Sequence, residues 1–146
     1  MTLRFEVNPY VRVGNLIFGS LPPDVARNNG PPSRTVKNYL GEMEEERQLF
    51  KARYDKADGT LNEVTFMPEA CVIFDGLEIN DEHKTTLGVL SKKDPDVCES
   101  MGFLIFPKLG IALAGFHDEN DSGGYITIFK IGKWDAAIGR SKKYHI

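Results

Sequence analysis

Phe50-Lys51-Ala52-Arg53-Tyr54, the polar stretch Asp55-Lys56-Ala57-Asp58-Gly59, and Leu61-Asn62-Glu63-Val64-Thr65-Phe66 together decide the fold class. Side chains of an extended chain alternate between two faces, so Phe50, Ala52 and Tyr54 share one face while Lys51 and Arg53 share the other. The return segment turns Val64 and Phe66 inward and Glu63 and Thr65 outward. Between them, Asp58-Gly59 accepts the positive φ that a tight reversal requires. This pattern predicts an antiparallel hairpin with one buried and one wet face.

Downstream, Pro68 ends the hairpin, and Cys71-Val72-Ile73-Phe74, closed by Asp75-Gly76, reads as a further strand. Asn80 or Asp81 offers a helix cap, with Glu82 favourable in the first turn; Leu87, Gly88 and Leu90 then give a modestly amphipathic helix that stops at Lys92-Lys93, before Pro95. Strands resume at Phe103-Leu104-Ile105-Phe106, turn through Pro107-Lys108-Leu109-Gly110 into Ile111–Phe116, and return as Tyr125–Ile131 after an acidic turn at residues 118–124. The tail from Gly139, with Arg140, Lys142 and Lys143, is expected to be mobile.

Upstream, Phe5–Val13 alternates loosely around Pro9 and reads as an edge strand or an extended lead-in. Ser20 before Pro22-Pro23 fits the start of a short helix, which Asn28-Asn29-Gly30-Pro31-Pro32 must stop. Thr35–Leu40 fits either a helical turn or an extended arm. Gly41-Glu42-Met43-Glu44-Glu45-Glu46 carries too much like charge for a core and reads as a solvated loop or helix face. The expected whole is one α+β domain over residues 1–146, an antiparallel sheet with two short helices on one face. Leu16-Ile17-Phe18-Gly19 and Val72-Ile73-Phe74-Asp75-Gly76 each precede a helix and a hairpin, a faint duplication of about 60 residues that would make a two-repeat arrangement.

The 146-residue chain is 41% hydrophobic and 27% charged, an ordinary globular mixture. No apolar run approaches the roughly 18 residues of a membrane span, and the N-terminus lacks the pattern of a signal peptide. Cys71 and Cys98 make neither a disulfide framework nor a metal motif, which fits a reducing cytoplasm. A net charge of −3 argues against a nucleic-acid binder.

The search for reaction chemistry finds little. His83, His117 and His145 lack the paired spacing of a zinc helix and read as exposed, and neither cysteine has a nucleophile signature. Asp118, Asn120, Ser122 and Gly123 match four positions of a calcium loop, but Phe129 stands where the bidentate glutamate belongs. A solvated hairpin loop is the better reading. Phosphate-cradling glycine motifs and the Gly-Xaa-Ser-Xaa-Gly elbow are absent. No catalytic residue, cofactor or metal is therefore assigned.

Gly14-Asn15-Leu16-Ile17-Phe18-Gly19, Ala52-Arg53-Tyr54-Asp55, Leu61–Phe66, Val72–Ile79 and Lys108–Leu113 form a longer pattern. Over roughly residues 11–135 the chain resembles small bacterial immunity proteins encoded beside polymorphic or contact-dependent growth-inhibition toxins. The resemblance implies helix-plus-sheet repeats similar to those of the β-lactamase inhibitor protein and a cytoplasmic chain without a reaction centre. It also implies a one-to-one complex with the C-terminal domain of a cognate toxin, without nucleic acid or membrane. Many toxin domains are nucleases with basic clefts, which acidic loops can cover while steering fast association. Glu42, Glu44, Glu45 and Glu46, with Asp118, Glu119 and Asp121, are the expected contact surface. Trp134, the only tryptophan, is either an interface anchor or packing at the end of the last strand, and packing is the preferred reading. The alternatives are a small-ligand-binding or adaptor domain and, behind these, a small enzyme with no recognisable motif.

Overall fold

The computed structural model describes residues 3–79, 83–115 and 124–145. The first half of the chain carries β1 (Arg4–Asn8), β2 (Arg12–Val13), β3 (Leu16–Ile17), α1 (Pro22–Asn29), β4 (Arg34–Lys37), β5 (Met43–Glu46), β6 (Phe50–Tyr54) and β7 (Leu61–Phe66). The second carries β8 (Cys71–Phe74), β9 (Leu77–Ile79), α2 (His83–Lys93), β10 (Cys98–Ser100), β11 (Phe103–Phe106), β12 (Ile111–Ala114), β13 (Tyr125–Phe129), α3 (Asp135–Gly139) and β14 (Lys142–Lys143).

The decisive hairpin forms as its alternation predicts. Val64 faces Ala52 and Glu63 faces Arg53 across the β6–β7 pair, and a register shift at Arg53/Tyr54 accommodates the extra residue Asn62. Gly59 takes φ +73 in the turn, and Asp55 Oδ1 accepts a hydrogen bond from the Ala57 N–H at 2.7 Å. This hairpin lies within a sheet of order β14-β10-β11-β12-β13-β7-β6-β5-β4; a smaller sheet runs β3-β2-β1-β8-β9. The large sheet is antiparallel throughout its described pairs, whereas β1 and β8 pair in parallel at the centre of the small one. The protein is thus mostly antiparallel sheet with few helices.

Alternation in the strands sorts the packing. Phe50, Ala52 and Tyr54 from β6, Val64 and Phe66 from β7, and Leu104 and Phe106 from β11 form one core cluster with Phe5, Val72, Phe74 and Ile79 of the small sheet. Val25 of α1 and Leu87 and Leu90 of α2 complete it. Burial of these side chains at roughly 25 cal/mol per Å² of apolar surface is what holds the two sheets face to face. Ile105, Ala112 and Phe129 point the other way, where Trp134 and Ala137 and Ile138 of α3 cover them.

Several expectations are corrected. β1 is not an edge strand but lies between β2 and β8. Of the two readings of residues 35–40 the extended one holds, as β4, but residues 43–46 are not a solvated loop: β5 forms a hairpin with β4 at the sheet edge, where Glu44 and Glu46 meet cations of the neighbouring strands and buried Glu45 meets Arg47. A third helix, α3, covers the opposite face of the large sheet from the core that α1 and α2 join. The basic tail is tied down, since β14 pairs with β10 and the Tyr144 N–H donates to the Val97 carbonyl at 3.1 Å. The face expected to be wet is partly roofed, leaving Glu63 only 3% exposed. No helix among the described residues is long and apolar enough to cross a membrane.

Candidate functional site

The outer face of the large sheet carries a chain of charges set by strand register. Glu44, Arg53, Glu63 and Phe129 lie in one row across β5, β6, β7 and β13, because each is paired to the next. Arg53 ion-pairs with Glu44 at 3.3 Å and with Glu63. Trp134 stacks on Phe129 at 5.3 Å, meets Phe103 edge-on at 5.1 Å, and donates its indole N–H to Glu63 at 2.6 Å. Packing, the preferred reading for this tryptophan, is what the structure shows. Burial pushes the Glu63 carboxyl above its ordinary value, outweighing the Arg53 and Trp134 contacts that act in the opposite direction. Beside it runs a shallow groove of about 270 Å³ floored by Thr65 and Thr127, whose hydroxyls meet at 3.0 Å, and walled by Lys51, Phe103, Tyr125 and Trp134. A larger open concavity of about 600 Å³, bounded by Arg4, Glu6, Asn8 and Arg12, lies over the small sheet and holds cations and a carboxylate together.

The acidic run of residues 42–46 is divided and internally neutralised. Glu44 and Glu46 stand on the outer face, where Glu46 pairs with Lys51 at 3.4 Å and Arg34 at 3.8 Å. Glu45 points inward; it accepts from the Tyr54 hydroxyl at 2.7 Å and pairs with Arg47 at 3.3 Å. Glu42 reaches across to Lys133. Burial pushes the Glu42 carboxyl up, but hydrogen bonds from Lys133 and Asn38 outweigh it and hold the group below its ordinary value. Far from forming a free negative patch, these four side chains brace the sheet. Asp118, Glu119 and Asp121, the other acidic group, lie outside the described residues, as does His117. His145 is exposed, and both cysteines are buried and free. Burial, with a hydrogen bond to Glu78, raises the Cys71 thiol, which disfavours the reactive thiolate. Among the described residues no three His, Cys, Asp or Glu side chains gather to hold a metal.

The turn between β4 and β5 supplies what the sequence analysis did not single out. Tyr39 is 94% exposed and Leu40 53% exposed at its tip. The Asn38 side-chain carbonyl accepts from the backbone N–H groups of Leu40 at 3.0 Å and Glu42 at 2.9 Å, and the Gly41 N–H donates to the Asn38 carbonyl at 3.0 Å. The Glu42–Lys133 contact then pins this turn to the loop after β13, where Ile131 is 70% exposed. A Cβ added at Gly41 would lie 4.0 Å from Lys56 Cδ, so the β6–β7 turn neighbours this one. Asn at the first and Gly at the fourth position of a turn is a readable signal; large apolar residues at Tyr39 and Leu40 between them are the anomaly that could have marked the site.

Comparison with known protein families, with curated proteins and with solved structures returns no match.

Proposed function

We propose that this chain is a cytoplasmic immunity protein that binds the C-terminal domain of a cognate toxin one to one and acts by covering a functional surface rather than by turnover. The observation that carries the reading is the Tyr39–Leu40 tip. An exposed aromatic side chain on a turn whose backbone is already hydrogen-bonded loses little conformational entropy on binding, and such residues dominate protein interfaces. A β-rich scaffold braced by internal ion pairs suits a role in which only the surface need be specific. The two-repeat arrangement belongs to the same proposal. The order of the large sheet supports it, since β4–β7 and β10–β13 run outward from the β7–β13 pair in mirrored sequence. The parallel β1–β8 pair stands against one two-fold axis normal to the sheets, which would run those strands in opposite directions.

The test is co-expression. The C-terminal domain of the toxin-like protein encoded beside this gene is produced in cells with and without this chain. Growth arrest relieved by this chain, with co-purification of the pair, supports the immunity role; unrelieved toxicity, or a harmless neighbour, overturns it. A second reading, small-ligand binding, is favoured by the groove beside Glu63, where aromatic walls meet Lys51 and two hydroxyls.

A further inference from the structure

Asn38, Glu42 and Lys133 meet where the β4–β5 turn touches the loop after β13. The two oxygens of the Glu42 carboxylate hold different partners: Oε1 accepts from the Asn38 side-chain amide N–H at 3.2 Å, and Oε2 contacts Lys133 Nζ. One carboxylate thus brings a primary amine beside a primary amide. The carbonyl oxygen of that amide, Asn38 Oδ1, accepts from the backbone N–H groups of Leu40 at 3.0 Å and Glu42 at 2.9 Å. Solvent is largely kept out of the contact, since the Glu42 and Lys133 side chains are only 7% and 19% exposed. Both ends are held in place. The Gly41 N–H donates to the Asn38 backbone carbonyl at 3.0 Å, and the Lys133 N–H to the Lys130 carbonyl at 3.1 Å. An ion pair has no need of the amide, and a turn-closing asparagine has no need of the lysine.

We propose that this cluster is a self-modification site, at which Lys133 and Asn38 join in an intramolecular isopeptide bond with Glu42 carrying the protons. Lys133 Nζ gives a proton to Glu42 Oε2 and, as the free amine, attacks Asn38 Cγ. The negative charge that develops on Oδ1 falls on the Leu40 and Glu42 N–H groups, which stand where an oxyanion hole needs donors. A second proton passes from the attacking nitrogen to Nδ2, the Cγ–Nδ2 bond breaks, and ammonia leaves, taking up the proton held by Glu42. One C–N bond forms for the one broken, the carboxylate is regenerated, and no oxidant or cofactor is needed. At rest Lys133 and Glu42 form an ion pair, in keeping with the lowered Glu42 carboxyl, so proton transfer within the contact makes the reaction slow. The product fastens the edge hairpin β4–β5 covalently to the loop after β13. It forms whatever the chain binds, and so stands apart from the immunity reading.

The test is the intact mass of the full-length chain, purified and kept overnight at growth temperature. The expected mass is about 17 Da below that of the sequence, the loss of one ammonia. Trypsin should then release one branched peptide joining residues 38–47 to 131–140. Lys133→Arg keeps a cation for Glu42 but no usable nucleophile, and should retain the full mass. Glu42→Gln keeps the shape but cannot take the proton, and should cut the fraction closed over the same interval at least about tenfold. The proposal is overturned if the wild type retains its full mass, or instead gains about 1 Da by hydrolysis of the amide. An equal loss of ammonia in Lys133→Arg would mean that an asparagine has closed on its own backbone, and overturns it too. Undiminished closure in Glu42→Gln does the same, because the carboxylate would then carry no proton.

Discussion

Tyr10 fills the space that a side chain on Gly110 would need: a Cβ there would lie 3.1 Å from Tyr10 Cε1 and 3.0 Å from the Phe129 carbonyl oxygen. Tyr10 itself has φ 64, unusual for a bulky residue, in the turn that the Val11 N–H closes onto the Asn8 carbonyl at 3.0 Å. The strain is offset by what its ring reaches. The hydroxyl donates to the Pro107 carbonyl and the ring meets Phe129 edge-on at 6.0 Å, so one side chain ties the β1–β2 turn to the large sheet.

Gly110→Ala is therefore expected to cost about 2–3 kcal/mol, since Gly110 also has φ +68 and the new methyl meets backbone on one side. Urea unfolding would show this as a lower midpoint at unchanged slope. A loss under about 0.5 kcal/mol would mean that the Tyr10 ring simply swings aside.

Tyr54→Phe removes the hydroxyl that donates to the inward-facing Glu45 while keeping the ring in the core. Leaving that carboxylate, among the described residues, with its Arg47 ion pair should cost about 1–3 kcal/mol. Equilibrium denaturation at neutral pH checks it, and an unchanged midpoint would show that Arg47 suffices.

Glu63 gives a pH dependence of defined sign. Its carboxyl titrates higher in the folded than in the unfolded chain, because burial prevails. Its contribution to stability is thus fully present below the unfolded value, roughly pH 4, and is lost as pH rises through the folded value. The stability of the wild type minus that of Glu63→Gln should fall across this window and then level off. The single tryptophan, hydrogen-bonded to Glu63, should report the same titration in its fluorescence. A difference that rises with pH would show that Arg53 and Trp134 outweigh burial.

The part of the fold carried by short-range pattern was legible. Alternation and an Asp-Gly turn specify the β6–β7 hairpin within 17 residues, and the helix-stopping Gly30-Pro31-Pro32 bounds α1. Met43-Glu44-Glu45-Glu46 was not legible as a strand, because nothing local offsets its charge. Its partners Arg34, Lys51 and Arg53 face it only once the strands are in register. The candidate site failed to show for the same reason: Lys133 is 91 positions from Glu42, and no window of sequence contains both. Tyr39 was visible as a residue, but its exposure depends on the turn that Asn38 closes.

Removing residues 142–146 should matter more than a tail would. β14 covers the edge of β10, and Tyr144 packs against the main core. Truncation after Ser141 is expected to cost roughly 1–2 kcal/mol. It should also leave a bare strand edge that promotes association. Calorimetry and sedimentation at two concentrations would show both effects, and a truncated chain that stays monomeric with unchanged melting would contradict them.

The two sheets are threaded alternately, β1–β3 and β8–β9 into one, β4–β7 and β10–β14 into the other. On the ribosome, β1 emerges early but has no parallel partner until Cys71–Phe74 has been made. Until then β1 has only its local antiparallel partner β2, its other edge stays unpaired while the first large-sheet hairpins form, and closing that long loop comes late. The same threading makes the chain indivisible: a cut at Pro68 would leave neither fragment with a complete sheet, so the two halves depend on each other to be protein at all.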